Sequence, residues 1–303
     1  MKRENSTFTI GLVQQACVDD RQVNIERAAA GIREAASRGA QIICLQEIFN
    51  APYFCKVESA ERFDLAEPIP GPTVEALRPL ARELGVAVVV PVFERRAAGV
   101  YHNSAAVLDA DGSLLGVYRK MHIPDDPLYL EKYYFVPGDA DGPSKGFRVF
   151  DTKFARIGVL ICWDQWYPEG ARITSLMGAE VLFYPTAIGW HPKEKDTFGA
   201  AQVDAWRTSQ RAHAIANGVY VAAPNRVGFE PEPGTDGIEF FGHSFVSDPF
   251  GRIIVEAPAD KPAVLVATCD RNHAEETRRN WPFLRDRRID AYAPILSRYL
   301  DGA

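Results

Sequence analysis

The sequence is short of several things, and each shortage excludes a class. Of 303 residues only five are cysteine: Cys17, Cys44, Cys55, Cys162 and Cys269. The number is odd and no two form a C-x-x-C pair, which argues against a disulfide framework and against a structural zinc site. No stretch approaches the ~18 apolar residues of a membrane span. The longest apolar run, Val86 to Phe93, is strand-sized and interrupted by Pro91. No apolar run of signal-peptide length stands behind Lys2 and Arg3. The expectation is a reduced, cytoplasmic protein with no membrane partner. Positive charge is also in deficit, with 34 Lys and Arg against 40 Asp and Glu and a net charge of −6, so a nucleic-acid partner is not expected. No Ser/Gly-rich linker and no low-complexity segment divides the chain. Residues 1–303 are therefore read as one domain, long enough to bury a sizeable core.

What is present runs twice. In the first half, Thr7–Cys17 reads as a strand and Arg21–Arg38 as an alanine-rich helix closed by Gly39. Ala40–Leu45 reads as a buried strand, and Thr73–Leu84 as a second helix stopped by Gly85. Strands Val86–Glu94, His102–Leu108 and Leu114–Arg119 follow, the last two joined as a hairpin at Asp109-Ala110-Asp111-Gly112. The second half repeats the order: strand Ala155–Cys162, helix Glu169–Gly178, strand Val181–Pro185, helix Ala200–Asn217, strand Val219–Pro224, a hairpin around Asp248-Pro249-Phe250-Gly251, and strand Ala263–Asp270. Each α/β half would carry helices on one sheet face and leave the other bare. Packing the bare faces together gives a four-layer α-β-β-α sandwich. Two separate small α/β domains are the alternative, disfavoured by the missing linker.

In such sheets functional groups gather beyond the carboxyl ends of the strands. After the strand Ala40–Leu45 stands Glu47, a carboxylate expensive to bury without a partner, and otherwise a cap or a surface charge. Beyond Leu114–Arg119 stands Lys120, able to reach a cleft, and otherwise a solvated charge. His122 nearby is a candidate base or a structural histidine. The strongest local signal is Ile157 to Glu169, in which a buried strand runs into Cys162 and a helix opens at Pro168-Glu169. This pattern resembles a nucleophile elbow, and the helix start and a nearby lysine are expected to lower the thiol pKa. The alternative is a buried structural cysteine, the reading given to Cys17, Cys44 and Cys269.

Glu47, Lys120 and Cys162, in that order and each at a strand end, resemble the Glu-Lys-Cys triad of the nitrilase superfamily. Leu45-Gln46-Glu47, Tyr118-Arg119-Lys120-Met121-His122 and Gly158-Val159-Leu160-Ile161-Cys162-Trp163-Asp164 are similar to its three motifs. Glu131, in Tyr129-Leu130-Glu131-Lys132-Tyr133-Tyr134-Phe135, matches a second glutamate common in the superfamily. The likeness covers the chain from Phe8 to about Tyr292. Within the superfamily, Ile161–Glu169, Leu182–Gly189 and Phe283–Arg288 resemble the N-carbamoylputrescine amidases.

The resemblance implies a cofactor-free, metal-free thiol hydrolase acting on a small ureido substrate. Cys162 would be the nucleophile and Glu47 the general base. Lys120 and the Trp163 N–H would stabilise the oxyanion, while Glu131 holds Lys120. A ureido-alkylamine would need an apolar sleeve, assigned to Trp163, Trp166, Tyr129 and Trp190, and an anion for its ammonium, drawn from Asp125, Asp126 or Glu194. Carbamoylases for amino acids are similar but carry arginine just after the nucleophile, where this chain has Asp164, Gln165 and Trp166. Another superfamily specificity (carbamoyl-β-alanine amidase, ω-amidase, nitrilase) and an inactive binding protein on the same fold are the alternatives. The apolar tail within 280–303 (Trp281, Phe283, Leu284, Tyr292, Ile295, Leu296, Tyr299) is expected at the subunit interface of a homo-oligomer.

Overall fold

The structure is a computed structural model that describes residues 5–143 and 145–302; the ends of the expected 1–303 domain lie outside the described residues. In chain order the elements are β1 (Thr7–Gln14), α1 (Arg21–Ser37), β2 (Ile42–Leu45), α2 (Pro72–Leu84), β3 (Ala87–Ala97), β4 (Val100–Leu108), β5 (Leu114–Arg119), α3 (Glu131–Tyr134), β6 (Val149–Asp151), β7 (Arg156–Val159), α4 (Pro168–Leu176), β8 (Val181–Phe183), β9 (Gly189–Trp190), α5 (Lys195–Asn217), β10 (Tyr220–Ala223), β11 (Val227–Glu230), β12 (Ile238–Phe241), β13 (Phe245–Ser247), β14 (Ile253–Glu256), β15 (Ala263–Asp270) and α6 (Arg271–Asn280).

The ends of these helices follow from their sequences. The Asp20 carboxylate accepts from the free N–H groups of Gln22 and Val23 at the start of α1. Proline opens α2 and α4, where its missing N–H costs nothing. Gly85 and Gly218 close α2 and α5 in the left-handed conformation, with φ of 65° and 59°.

Two six-stranded sheets form, in the orders β15-β1-β2-β3-β4-β5 and β14-β13-β10-β8-β7-β6. The alternation of side chains sorts their faces. In the first sheet Val13, Ile43, Leu45, Val88, Val90 and Leu108 pack under Ile25, Ile32, Val74 and Leu77 of α1 and α2. A Cβ on Gly31 would come within 2.7 Å of Val13, so α1 needs glycine there to lie this close to β1. The opposite face, with Ile10, Leu12, Ile42, Cys44, Val89 and Val107, shares a core with Phe150, Ile157, Val159, Val181 and Phe183 of the second sheet. The outer side of that second sheet carries Gly158, next to Thr174 of α4, and the buried Trp206 of α5 joins the same core. The layers are therefore α-β-β-α, as the repeat in the sequence predicts.

Three features depart from the expectation. Strand β15, read as the close of the second half, pairs antiparallel with β1 and completes the first sheet. A small third sheet, β11-β12-β9, was not expected, because its strands are short and set among glycines. Helix α5 begins at Lys195 rather than Ala200, which makes Glu194 its N-cap residue instead of a loop charge.

Candidate active site

The chemistry-bearing side chains converge where the parallel strands of both sheets end. Glu47 sits in the turn after β2, Lys120 directly after β5, Glu131 opens α3, and Cys162 follows β7. Lys120 is fully buried, 0% exposed, and its Nζ lies 2.9 Å from Glu47 Oε1 and 2.7 Å from Glu131 Oε2. An ammonium has three protons, so two are committed and one remains to donate.

Each carboxylate is held by a second donor. Asn103 Nδ2 donates to Glu47 Oε1 at 2.7 Å, and the Tyr53 hydroxyl donates to Glu131 Oε1 at 2.7 Å. Among the described residues Glu47 Oε2 is buried with no hydrogen-bond partner. An open carboxylate oxygen in a buried site is unfavourable at rest and suits a group that must take up a proton.

Cys162 occupies an elbow. Its φ is +41°, unusual for a residue with a Cβ, and its N–H donates to Pro185 O at 2.9 Å. A single 3₁₀ turn, Cys162–Trp166, separates it from α4. Within that turn Asp164 ties the elbow down: its carboxylate accepts from the Ile161 N–H and the Tyr118 hydroxyl, both at 2.8 Å, and from the His122 N–H at 3.0 Å. Among the described residues nothing accepts from the Trp163 backbone N–H beside the nucleophile.

Electrostatics in this pocket differ from the expectation for the thiol. Burial pushes the Cys162 thiol well up, Glu47 adds to the rise, and the opposing pull of Lys120 does not offset them. The expected lowering by a helix start and a lysine is thus outweighed, because Lys120 arrives with two carboxylates around it. Burial works against the Lys120 ammonium too, but Glu131 and Glu47 outweigh it and hold the pKa well above the ordinary lysine value. Burial raises the Glu131 carboxyl to about 7, against the pull of Lys120.

The remaining sequence candidates fall in different places. Tyr129 reaches the Gly189 backbone, accepting from its N–H at 3.0 Å and donating to its carbonyl at 3.2 Å, and its ring lies 5.5 Å from that of Tyr53. Trp163 is half-buried, with its indole N–H on the Tyr167 hydroxyl. Trp166 packs on the core with its indole N–H unpaired among the described residues. Trp190 donates to Gly199 O and carries the Lys195 ammonium over its ring at 4.7 Å. Asp125 is exposed and 4.0 Å from Lys132; Glu194 accepts from Gln202 at 3.2 Å. His122 stacks on Tyr167 with centroids 3.8 Å apart and hydrogen-bonds Asp164, so it braces the elbow. Sequence reasoning missed Tyr53, Asn103 and Asp164 as functional groups. The available signals were a polar Asn103 in the buried run His102–Leu108 and an acid two residues after the nucleophile. Among the described residues no group of three or more His, Cys, Asp or Glu is placed to hold a metal ion.

Known proteins resemble the chain over nearly its whole length. The family model "Carbon-nitrogen hydrolase" matches residues 9–279. An N-carbamoylputrescine amidase of Solanum lycopersicum is 46% identical, over 100% of this chain and 99% of that protein. A citrullinase of Francisella tularensis is 41% identical over 97% of this chain and 100% of its own. A carbon-nitrogen hydrolase crystal structure from Helicobacter pylori superposes with a TM-score of 0.92 at 44% identity, covering 97% of this chain and 100% of that one.

Proposed function

The chain belongs to the carbon-nitrogen hydrolase family, and from that premise we propose that it hydrolyses N-carbamoylputrescine to putrescine, carbon dioxide and ammonia. The observation that carries the chemistry is the buried Lys120 between Glu47 and Glu131, with Glu47 Oε2 left open. The full-length identity to N-carbamoylputrescine amidases supports the substrate.

In the first step Glu47 Oε2 takes the Cys162 thiol proton as sulfur attacks the ureido carbon. A pre-formed thiolate is not required, which suits a thiol whose pKa burial has raised. Two nitrogens donate into that carbon, so oxyanion stabilisation must be large; one well-placed donor contributes roughly 3 kcal/mol. The third Lys120 proton and the Trp163 N–H are the donors. Glu47 returns the proton to the departing nitrogen, ammonia leaves, and the alkylcarbamoyl group remains on Cys162 as a thioester. Glu47 then deprotonates a water that attacks this carbonyl, the thiol is regenerated, and the released carbamate decays to carbon dioxide and the amine. Splitting one hard displacement into two easier ones is the gain from the covalent route.

For the substrate chain, Tyr129, Trp163, Trp166 and Trp190 are assigned to the sleeve, and the ammonium to an acid among Asp125, Asp126 and Glu194. We further place the protein as a homo-oligomer, on its exposed tail: Ile289, Leu296 and Tyr299 are 74, 89 and 79% exposed. A cytoplasmic location accords with its five free thiols. The deciding experiment is ammonia release over a panel of N-carbamoylputrescine, N-carbamoyl-β-alanine, citrulline and simple amides. Fastest turnover of carbamoylputrescine supports the assignment, and a preference for any other compound rejects it.

A further inference from the structure

We infer that Arg226 and Glu230 form a buried positioning pair that sets the distance between Glu47 and Glu131 around Lys120. The inference rests on the reading of Glu47 as the base. Arg226 stands just before β11 and Glu230 ends it. The Arg226 guanidinium is fully buried and donates to three carbonyls of the single segment after β2: Glu47 O at 3.1 Å, Ile48 O at 2.7 Å and Ala51 O at 3.0 Å. Among the described residues its remaining hydrogen-bond partner is Glu230 Oε1, at 2.5 Å.

The segment it holds is strained where it matters. Ile48, next to Glu47, has φ of +46°, a conformation that β-branched residues avoid. Such a backbone persists only when the surroundings over-determine it, and the Arg226 bonds to the carbonyls on both sides of the Ile48 N–Cα unit do so. At the far end of the segment the other Glu230 oxygen accepts from the Tyr53 N–H at 2.6 Å. The Lys56 ammonium, on Tyr53 O at 2.7 Å and 3.5 Å from Glu230, ties the same point. Tyr53 in turn donates to Glu131. One ion pair therefore grips the backbone of the base at one end and the tyrosine that orients the second carboxylate at the other. A planar fork with five donors can serve three carbonyls and a carboxylate at once; an ammonium cannot.

The test is steady-state hydrolysis of N-carbamoylputrescine by the full chain carrying Arg226→Lys, Glu230→Gln or Glu47→Gln, with cooperative thermal unfolding as the check on folding. Arg226→Lys keeps a charge opposite Glu230. We expect its kcat to fall at least ~30-fold with KM changed less than ~3-fold, because misplaced catalytic groups cost rate rather than binding. Glu230→Gln loses one of its two acceptor contacts, and its kcat should fall ~10-fold with KM likewise steady. A folded Arg226→Lys with kcat within ~3-fold of the parent, or with its loss confined to KM, overturns the inference. Should Arg226→Lys not fold, Glu230→Gln decides alone, and kcat within ~2-fold of the parent overturns it. An active Glu47→Gln would instead reject Glu47 as the base, whatever Arg226 does.

Discussion

Lys120 Nζ and Asn103 Nδ2 both donate to the same oxygen of Glu47, at 2.9 and 2.7 Å, and leave the other oxygen of that carboxylate bare. Two donors on one oxygen fix the carboxylate plane and select which oxygen works. If the bare oxygen is the base, Asn103→Leu should leave Glu47 held by Lys120 alone, with its carboxylate plane less firmly fixed. Its kcat should fall by ~10–100-fold while KM moves little, which initial rates over a substrate range would show. An Asn103→Leu enzyme of full kcat would mean the orientation is set elsewhere.

Cys162→Ala should lose all turnover yet unfold at the temperature of the parent. Glu47→Gln and Lys120→Met should each lose several orders of magnitude in kcat, and combining them should add little, since the groups act as a unit. Lys120→Met should also be destabilised by ~3–5 kcal/mol, because it strands two buried carboxylates without their cation. Denaturant titration measures this; wild-type stability in Lys120→Met would show that the two acids do not depend on it.

Glu131 gives the protein a pH signature. Its carboxyl has the ordinary value of 4.5 when unfolded and, through burial, about 7 when folded. Between those values the folded state holds the extra proton, so this group's contribution to stability is full below pH 4.5 and is lost as the pH rises through 7. Glu131→Gln cannot titrate. The Tm of the parent minus that of Glu131→Gln should therefore decline between pH 5 and 7.5. A difference that stays constant across this range would contradict the buried, proton-holding Glu131.

For a carboxylate-tailed substrate the stretch after the nucleophile, Asp164, Gln165 and Trp166, supplies no cation, and the Asp164 and Gln165 side chains are themselves fully buried. Burying its acid there without a partner is costly. Carbamoylputrescine should exceed carbamoyl-β-alanine by at least ~100-fold in kcat/KM, about 2.7 kcal/mol of discrimination. Comparable values for the two would remove the substrate assignment and leave the broader thiol amidohydrolase.

Light scattering at micromolar concentration should give a multiple of the 33.6 kDa chain mass. Tail substitution Leu296→Asp with Tyr299→Asp should lower that multiple without unfolding the chain, since both side chains are exposed within one protomer. A parent that scatters as a monomer rejects the oligomer.

The layers and the strand-end positions of Glu47, Lys120 and Cys162 were legible because each rests on local pattern: alternating apolar residues, Gly85 and Gly218 as stops, Pro168 as a start. Pairing between distant segments was not legible. Nothing near Ala263 says that its partner is Gln14 rather than a neighbour in the second half. The helpers escaped for the same reason. Tyr53, Asn103 and Arg226 are ordinary residues in sequence and matter only through what folding sets opposite them. The thiol pKa was misjudged because a lysine was weighed without the two acids that come with it.

The return of β15 to the first sheet has a consequence for how the protein is made. Thr7 pairs with Asp270 and Gln14 with Ala263, so β1 waits for β15, which is synthesised after every other strand among the described residues. Until then β1 presents an open edge, the kind of surface that recruits foreign strands. Contacts this distant in sequence form slowly. A chain cut short before Ala263 would hold every proposed catalytic residue and still display that unsealed edge, so aggregation rather than lost chemistry should be the fate of truncated products.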